Sequence, residues 1–489
     1  MRRYGILAAM ACLSMALAAE GKDNIRDSVV KIYSTRRAPD FVRPWTKAAS
    51  QEGVASGVVI EGKRILTNAD VVQYATQIFV QANGSTEKLT AKVGVIAPEI
   101  DLAVLRLEDE AFFTDHPPLP LADGIAHVKD KVSVYGYPVG GDQLSVTEGV
   151  ISRIDYAAFY YGSHGLLIQV DAAVNPGNSG GPAVSDGRIV GLVFRKLSSA
   201  ENIGYLIAAE EIQLFLKNAA DGTYHGKPAM FESLQTVENN SLRAKLHLDK
   251  DTGGLMVTEP YSSDPSYPLK ADDVITQIGT YKLDKQGRVQ VRDDLWLSGG
   301  YLVPKLACDG KLPVTLIRDG KPLKSEVPVS ADDRMLIPYL KGKYPRYFVF
   351  GPLVFMSATQ ELVYAGETYL TLMHNPLTAR QWEWRKQPGE EMVVLGYALL
   401  THRISKGYGP QHYAAVTEMN GTPVRSLSQL VELLRDAKTE FITLRFAGRY
   451  QTLVFHRDEL EKSTQEILAN EDIRSQGSED LLKIWQQKK

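Results

Sequence analysis

The chain has 489 residues, 44% hydrophobic and 23% charged, enough to bury several cores, and the length alone points to about three domains. Lys and Arg (55) nearly balance Asp and Glu (58), leaving a net charge of −3 with no long block of one sign. A nucleic acid or other polyanionic partner is therefore not indicated. At the N-terminus Arg2 and Arg3 precede an apolar run from Ile6 to Ala19, too short for a bilayer span but suited to a cleavable signal peptide over 1–18, with Ala16-Leu17-Ala18 at the cleavage site. Secretion to the periplasm or beyond is expected. Cys12 leaves with that leader, so only Cys308 stays in the mature chain and no internal disulfide can form. No other stretch reaches about 18 apolar residues, so no further membrane span is expected.

Residues 24–219 read as short β-branched strands punctuated by Gly, Asn and Asp: "SVVKIYS", "ASGVVIEG", "TQIFVQANG", "LAVLRLE", "KVSVYGYPVG", "SVTEGVISRI", "LLIQVDAAV" and "GRIVGLVF". Close spacing favours antiparallel barrels or sandwiches. "AAEEIQLFLKNAA" closes the region as a helix, with Ile212, Phe215 and Leu216 at helical spacing. Within this region "NPGNSGGP", Asn175 to Pro182, places Ser179 among glycines that free the backbone to turn, so the hydroxyl can be presented while nearby amides point at the same spot. Alone, such a segment reads equally well as a glycine-rich surface turn. Upstream stand "ILTNADVV" and "DLAVLRL".

With Gly57, Thr67-Asn68-Ala69, Asp101, Gly136-Tyr137-Pro138 and the serine loop all present, the segment resembles the trypsin-like protease domain of the HtrA/Deg family, whose stretches read TNAHVV, DLAVL and GNSGGP. That resemblance implies a chymotrypsin-like double β-barrel with Ser179 as nucleophile and Asp101 orienting the base. It implies an oxyanion hole from the amides of Gly177 and Ser179, with Asn178 between them. "NIGYLIA", with Ile203, Gly204 and Tyr205, is similar to the wall of the family's primary specificity pocket, whose expected guest is a small-to-medium aliphatic side chain. No metal or cofactor is implied.

The departure is Asp70, which stands where the family has its catalytic histidine. Imidazole suits the role because its pKa is near 7 and its two nitrogens can face serine and aspartate at once. A carboxylate with a reference pKa of about 3.9 is a far weaker base, and a shorter one. If Asp70 approaches Asp101, like charges share a site and one of them should stay protonated. His116, His127 and His164 lie outside the segment that delivers the family's base and read as surface or loop residues.

Past the polar linker "NAADGTYHGKP", residues 230–330 resemble a PDZ-like domain: a strand, a short helix ending before Leu269, then "ADDVITQIG" and a hairpin over "RDGK". Such domains bind C-terminal peptides by strand addition. Here "PAMFESLQ" replaces the expected Gly-containing carboxylate loop. Residues 331–460 resemble a second, diverged PDZ-like domain, with a hairpin at "NGTPV" and the helix "SLSQLVELLRD" capped by Ser426 or Ser428; 461–489 form a C-terminal helical tail. The fold is thus mainly β, a double barrel followed by two α/β PDZ-like domains, as in the Deg branch of plants and some bacteria. Two functions compete: a pseudoprotease with a binding, chaperone or scaffold role, and an active endopeptidase degrading unfolded proteins. Either implies protein or peptide partners and assembly as a homotrimer or a multiple of three.

Overall fold

The computed structural model describes residues 25–487 except 140, 160, 161, 197–202 and 333. The expected signal peptide and Asn202 lie outside the described residues. Twelve strands carry the first region: β1 (Val29–Arg36), β2 (Gln51–Ile60), β3 (Arg64–Thr67), β4 (Ala75–Ala82), β5 (Leu89–Ala97), β6 (Leu102–Leu107), β7 (Lys131–Gly136), β8 (Ser145–Ala158), β9 (His164–Val170), β10 (Pro182–Ser185), β11 (Arg188–Lys196) and β12 (Gly204–Ala208). They close into two six-stranded barrels, ordered β1-β2-β3-β6-β5-β4 and β10-β11-β12-β9-β8-β7. Closure leaves neither barrel an open edge. Buried Val30, Ile32, Val59, Ile65, Val80 and Leu105 fill the first barrel. In the second, Val134, Ile151, Leu166, Ile168, Val193 and Leu206 form a core that continues into Val257, Ile275 and Leu316 of the following sheet.

That sheet runs, in spatial order, Ser233–Thr236, Leu255–Glu259, Val274–Ile278, Lys311–Arg318 and Lys321–Pro328, with the last two paired across the predicted "RDGK" hairpin. No helix forms over residues 260–268, directly before Leu269, because Pro260, Pro265 and Pro268 interrupt that stretch. A helix forms instead at Asn240–Lys245, where the Asn239 side chain accepts from the Leu242 amide at 3.1 Å. The barrels and this sheet form one compact unit.

The second unit comprises residues 333–489 together with 36–51, so the segment between β1 and β2 belongs with it and not with the barrels, as its place in the chain would suggest. Phe41 and Trp45 pack on its core, and Trp45 meets Tyr347 at 6.2 Å between ring centres. Its "NGTPV" turn is a two-residue hairpin in which Asn420 and Gly421 take φ of 48° and 81°. Ser426, not Ser428, caps the helix Leu427–Asp436, accepting from the Gln429 amide at 3.1 Å. The C-terminal residues are no separate tail: the helix Arg457–Asn470 crosses the expected boundary, and Trp485 on Glu479–Gln486 packs against Phe348 and Phe350. Among the described residues no helix is long and apolar enough to cross a membrane.

The linker after the second barrel is anchored by an ion pair, Lys227 Nζ to Glu211 Oε2 at 2.8 Å, with both side chains buried. Glu211 also accepts from the Leu166 amide, and Lys227 donates to His164 O. Removing one partner strands a charge in a dry site. Lys227→Ala is expected to cost about 3–5 kcal/mol in denaturant unfolding of this unit; a loss below about 1 kcal/mol would match an exposed pair instead.

Candidate active site

The site is assembled on main-chain contacts. Asn175 to Asn178 form a tight turn, the Asn178 amide donating to Asn175 O at 3.0 Å, with Pro176 and Gly177 at its corners. Gly177 takes φ +98°, and a Cβ there would stand 2.3 Å from Tyr137 O, so glycine is required twice over. Ser56 on β2 clasps this turn: its amide donates to Ser179 O at 3.0 Å, its hydroxyl donates to Gly177 O at 2.8 Å, and that hydroxyl accepts from the Tyr137 amide at 2.8 Å. At Gly180 a Cβ would fall 2.3 Å from Ser56 O. The amides of Gly177 and Ser179 donate to no described residue, which leaves both for a ligand oxygen. Asn178 is buried between them.

Asp70 lies on the short helical turn Ala69–Val72, entered from the end of β3. Thr67 Oγ1 donates to Ser56 O at 2.8 Å, and Asn68 Nδ2 donates to Asp101 O at 3.0 Å. Asp101 follows a single 3-10 turn, Pro98–Ile100, in the left-handed conformation with φ 51°, and only 2% of it is exposed. Its Oδ1 accepts the Asp70 amide at 2.8 Å. Its Oδ2 is buried and has no hydrogen-bond partner. Burial, and then the charge of Asp70, hold the Asp101 carboxyl well above the usual carboxylate range, while the amides of Asp70 and Ala69 pull the other way. The Asp70 residue itself is exposed. The Ser179 hydroxyl, half-buried, makes no hydrogen bond to Asp70 or to any other described residue.

The structure joins Asp101 to the backbone of residue 70, ties that segment to the serine loop through Ser56, and leaves the Ser179 hydroxyl without a hydrogen bond among the described residues. The three histidines are occupied elsewhere. His116 stacks on Phe112 with Nδ1 2.8 Å from Asp27 O, His127 sits beside Arg292 and Asp294, and His164 stacks on Tyr156. Gly204 and Tyr205 open β12 opposite Val170 and Gln169, with Ile203 half-buried just before them. A Cβ at Gly204 would stand 2.6 Å from Val174, the residue that leads into the serine loop. Ser56, which clasps the serine loop from within β2, is not singled out by sequence reasoning, whereas Asn68 falls within the Thr67-Asn68-Ala69 match. No group of three or more His, Cys, Asp or Glu among the described residues is placed to hold a metal.

The sheet that follows the barrels ends on Ser233–Thr236, whose outer edge is unpaired in the sheet. Just before it, where a carboxylate loop is expected, the Phe231 amide donates to Glu232 Oε2 at 3.1 Å and Tyr267 Oη donates to Glu232 Oε1. A carboxylate of the chain's own thus takes the Phe231 amide.

A trypsin-like peptidase domain model matches residues 55–192 and a PDZ domain model matches residues 338–480. Protease Do-like 2, chloroplastic, of Arabidopsis thaliana is 34% identical over 465 residues, spanning 94% of this chain and 76% of its own. Protease Do-like 4, mitochondrial, of the same plant is 34% identical over 423 residues, spanning 86% and 78%. Among solved structures, the HtrA-type protease AlgW with a tripeptide superposes with a TM-score of 0.51 at 22% identity, over 64% of this chain and 97% of that one. This last likeness is one of fold.

The raised carboxyl of Asp101 fixes the sign of a pH effect. An ionised form disfavoured only in the folded state lowers stability as pH climbs from the unfolded value of 3.8 through the folded one. Asp70→Asn removes the like charge, so it is expected to raise the melting temperature at about pH 7 and leave it unchanged near about pH 3. Equal shifts at both pH values would show that the two carboxyls do not feel each other.

Proposed function

The chain belongs to the HtrA/Deg family of trypsin-like serine proteases, and from that membership we propose that it is a proteolytically impaired member, a protease-shaped protein that binds polypeptides more than it cuts them. The observation that carries this reading is the serine hydroxyl without a hydrogen-bonded base, beside a carboxylate at residue 70. Acyl transfer needs the Ser179 proton to leave as the oxygen attacks, and neither Asp70 nor the buried Asp101 offers the basicity of an imidazole at neutral pH. In subtilisin, removing the triad histidine costs about 10^6 in kcat. Binding does not suffer in the same way, because the pocket wall and the oxyanion amides are main-chain features.

The second reading, an active endopeptidase acting on unfolded proteins, draws support from the intact Gly177 turn and the buried Asp101. On either reading the partners are extended protein segments, the setting is extracytoplasmic, and no cofactor takes part. The Glu232 contact favours a first PDZ-like domain that takes its partners by strand pairing along Ser233–Thr236, without capture of a terminal carboxylate. Weak sites of that kind gain from multiplicity, so a closed assembly of three chains or a multiple of three fits a binding role.

Asp70→His is expected to raise casein hydrolysis by on the order of 10^4-fold or more, with Ser179→Ala abolishing the gain. Unmodified chain that digests casein through Ser179 at a comparable rate would leave the endopeptidase reading standing. In light scattering at micromolar concentration the mass should be three chains or a multiple of three. A species at the 54.0 kDa of one chain would remove the case for a scaffold built on avidity.

A further inference from the structure

We propose that Lys31 is a positioning residue for the oxyanion turn, its ammonium holding the loop against which Pro176 and Gly177 are set. On β1, Val30 and Ile32 belong to the core of the first barrel, so the alternation of the strand turns Lys31 and Tyr33 to its other face. That face is closed as well: only 7% of the Lys31 side chain is exposed, and its ammonium lies 5.3 Å from the centre of the Tyr33 ring and 6.0 Å from that of Tyr137. A charge in such surroundings costs free energy unless it is paired and hydrogen-bonded. Lys31 Nζ donates to Gly141 O at 3.1 Å and to Asp142 Oδ1 at 2.9 Å, both in the loop that leaves β7.

The loop so held backs the oxyanion turn. Tyr137, the first residue beyond β7, has its amide on Ser56 Oγ, and its carbonyl oxygen is the atom that a Cβ at Gly177 would meet at 2.3 Å. The Val139 amide donates to Pro176 O at 2.8 Å, and the Gly141 amide turns back to Pro138 O at 3.1 Å. Pro176 O and the Gly177 N–H belong to one planar peptide unit, so whatever fixes the oxygen also fixes the direction in which the amide points. Val139 is 68% exposed and packs little, which leaves the loop to its hydrogen bonds. Among the described residues, the side-chain hydrogen bonds to its far end, at 141 and 142, both come from Lys31. Lys31 therefore acts on the Gly177 amide through the loop and is not itself a catalytic residue. The proposal rests on the oxyanion role given to Gly177 above and not on the impairment at residue 70.

Hydrogen exchange followed by mass spectrometry on the full chain tests the link without requiring catalysis. In Lys31→Met, which keeps an unbranched apolar stem and removes the charge, amides within 137–142 and 175–181 should exchange about tenfold faster, with the barrel strands unchanged and protection restored in Lys31→Arg. Faster exchange within 137–142 alone would overturn the proposal, since Lys31 would then hold a surface loop and nothing beyond it, and so would no change in either segment. Should Lys31→Met deprotect the whole barrel, Asp142→Lys takes its place: the side chain of residue 142 is 100% exposed, and a second ammonium there repels Lys31 from the loop. The same two segments are then expected to loosen, and the same outcomes refute. Kinetics supply a readout that a general structural role would not give. In an Asp70→His background Lys31→Met is expected to lower kcat by about tenfold at constant KM, because the Gly177 amide meets the substrate oxygen most strongly in the transition state, and Lys31→Arg is expected to recover it. A rise in KM with kcat unchanged would overturn the proposal. If Asp70→His shows no activity, the impairment reading fails, while the exchange result still decides the role of Lys31.

Discussion

The hydrogen bond from the backbone amide of Asp70 to Asp101 Oδ1 is the contact on which the site depends. It is made by the main chain, so it survives whatever side chain residue 70 bears. The same holds across the locus: Ser56 holds the serine loop through Ser179 O and Gly177 O, Asn68 holds Asp101 through its carbonyl, and Gly177 and Gly180 are constrained by the carbonyls they approach. A catalytic geometry built this way can lose its base and keep its form. The scaffold of the locus thus rests on contacts that do not involve the side chain of residue 70.

Much of this is legible in the residues. The turn at Asn175 to Asn178 follows from proline and glycine chemistry, and the barrels follow from short β-branched runs between Gly, Asn and Asp. Three strands are not. Arg64–Thr67 and Pro182–Ser185 have only four residues each and are hidden inside motifs, while Leu89–Ala97 carries lysine and glycine that break its alternation. Nor can sequence reveal what long-range burial sets: the orphaned Asp101 oxygen, the clasp of Ser56, and the grouping of 36–51 with the C-terminal unit, where Phe41 and Trp45 find a core that their local sequence does not announce.

The PDZ-like regions teach the same lesson with the signs reversed. The hairpins at "RDGK" and "NGTPV" are fixed by two-residue turns whose Asp319-Gly320 and Asn420-Gly421 both take positive φ, so local chemistry decides them. The helix expected before Leu269 shows where the local view fails, because Asn239 offers a cap to the Leu242 amide and the prolines from 260 to 268 offer none.

Glu232 joins these two themes. Its carboxylate is buried and its pKa is raised by that burial, against the pull of Tyr267 and of the Phe231 amide. A buried carboxylate held by a hydroxyl and an amide is a self-satisfied contact, so a peptide terminus arriving there must displace a group already paired and must bring its own charge into the same apolar surroundings. Both effects oppose binding. The edge at Ser233–Thr236 is exposed and unpaired in the sheet. At Asp101 an acceptor is left without a donor, and beside Ser233–Thr236 an amide is supplied with an internal acceptor.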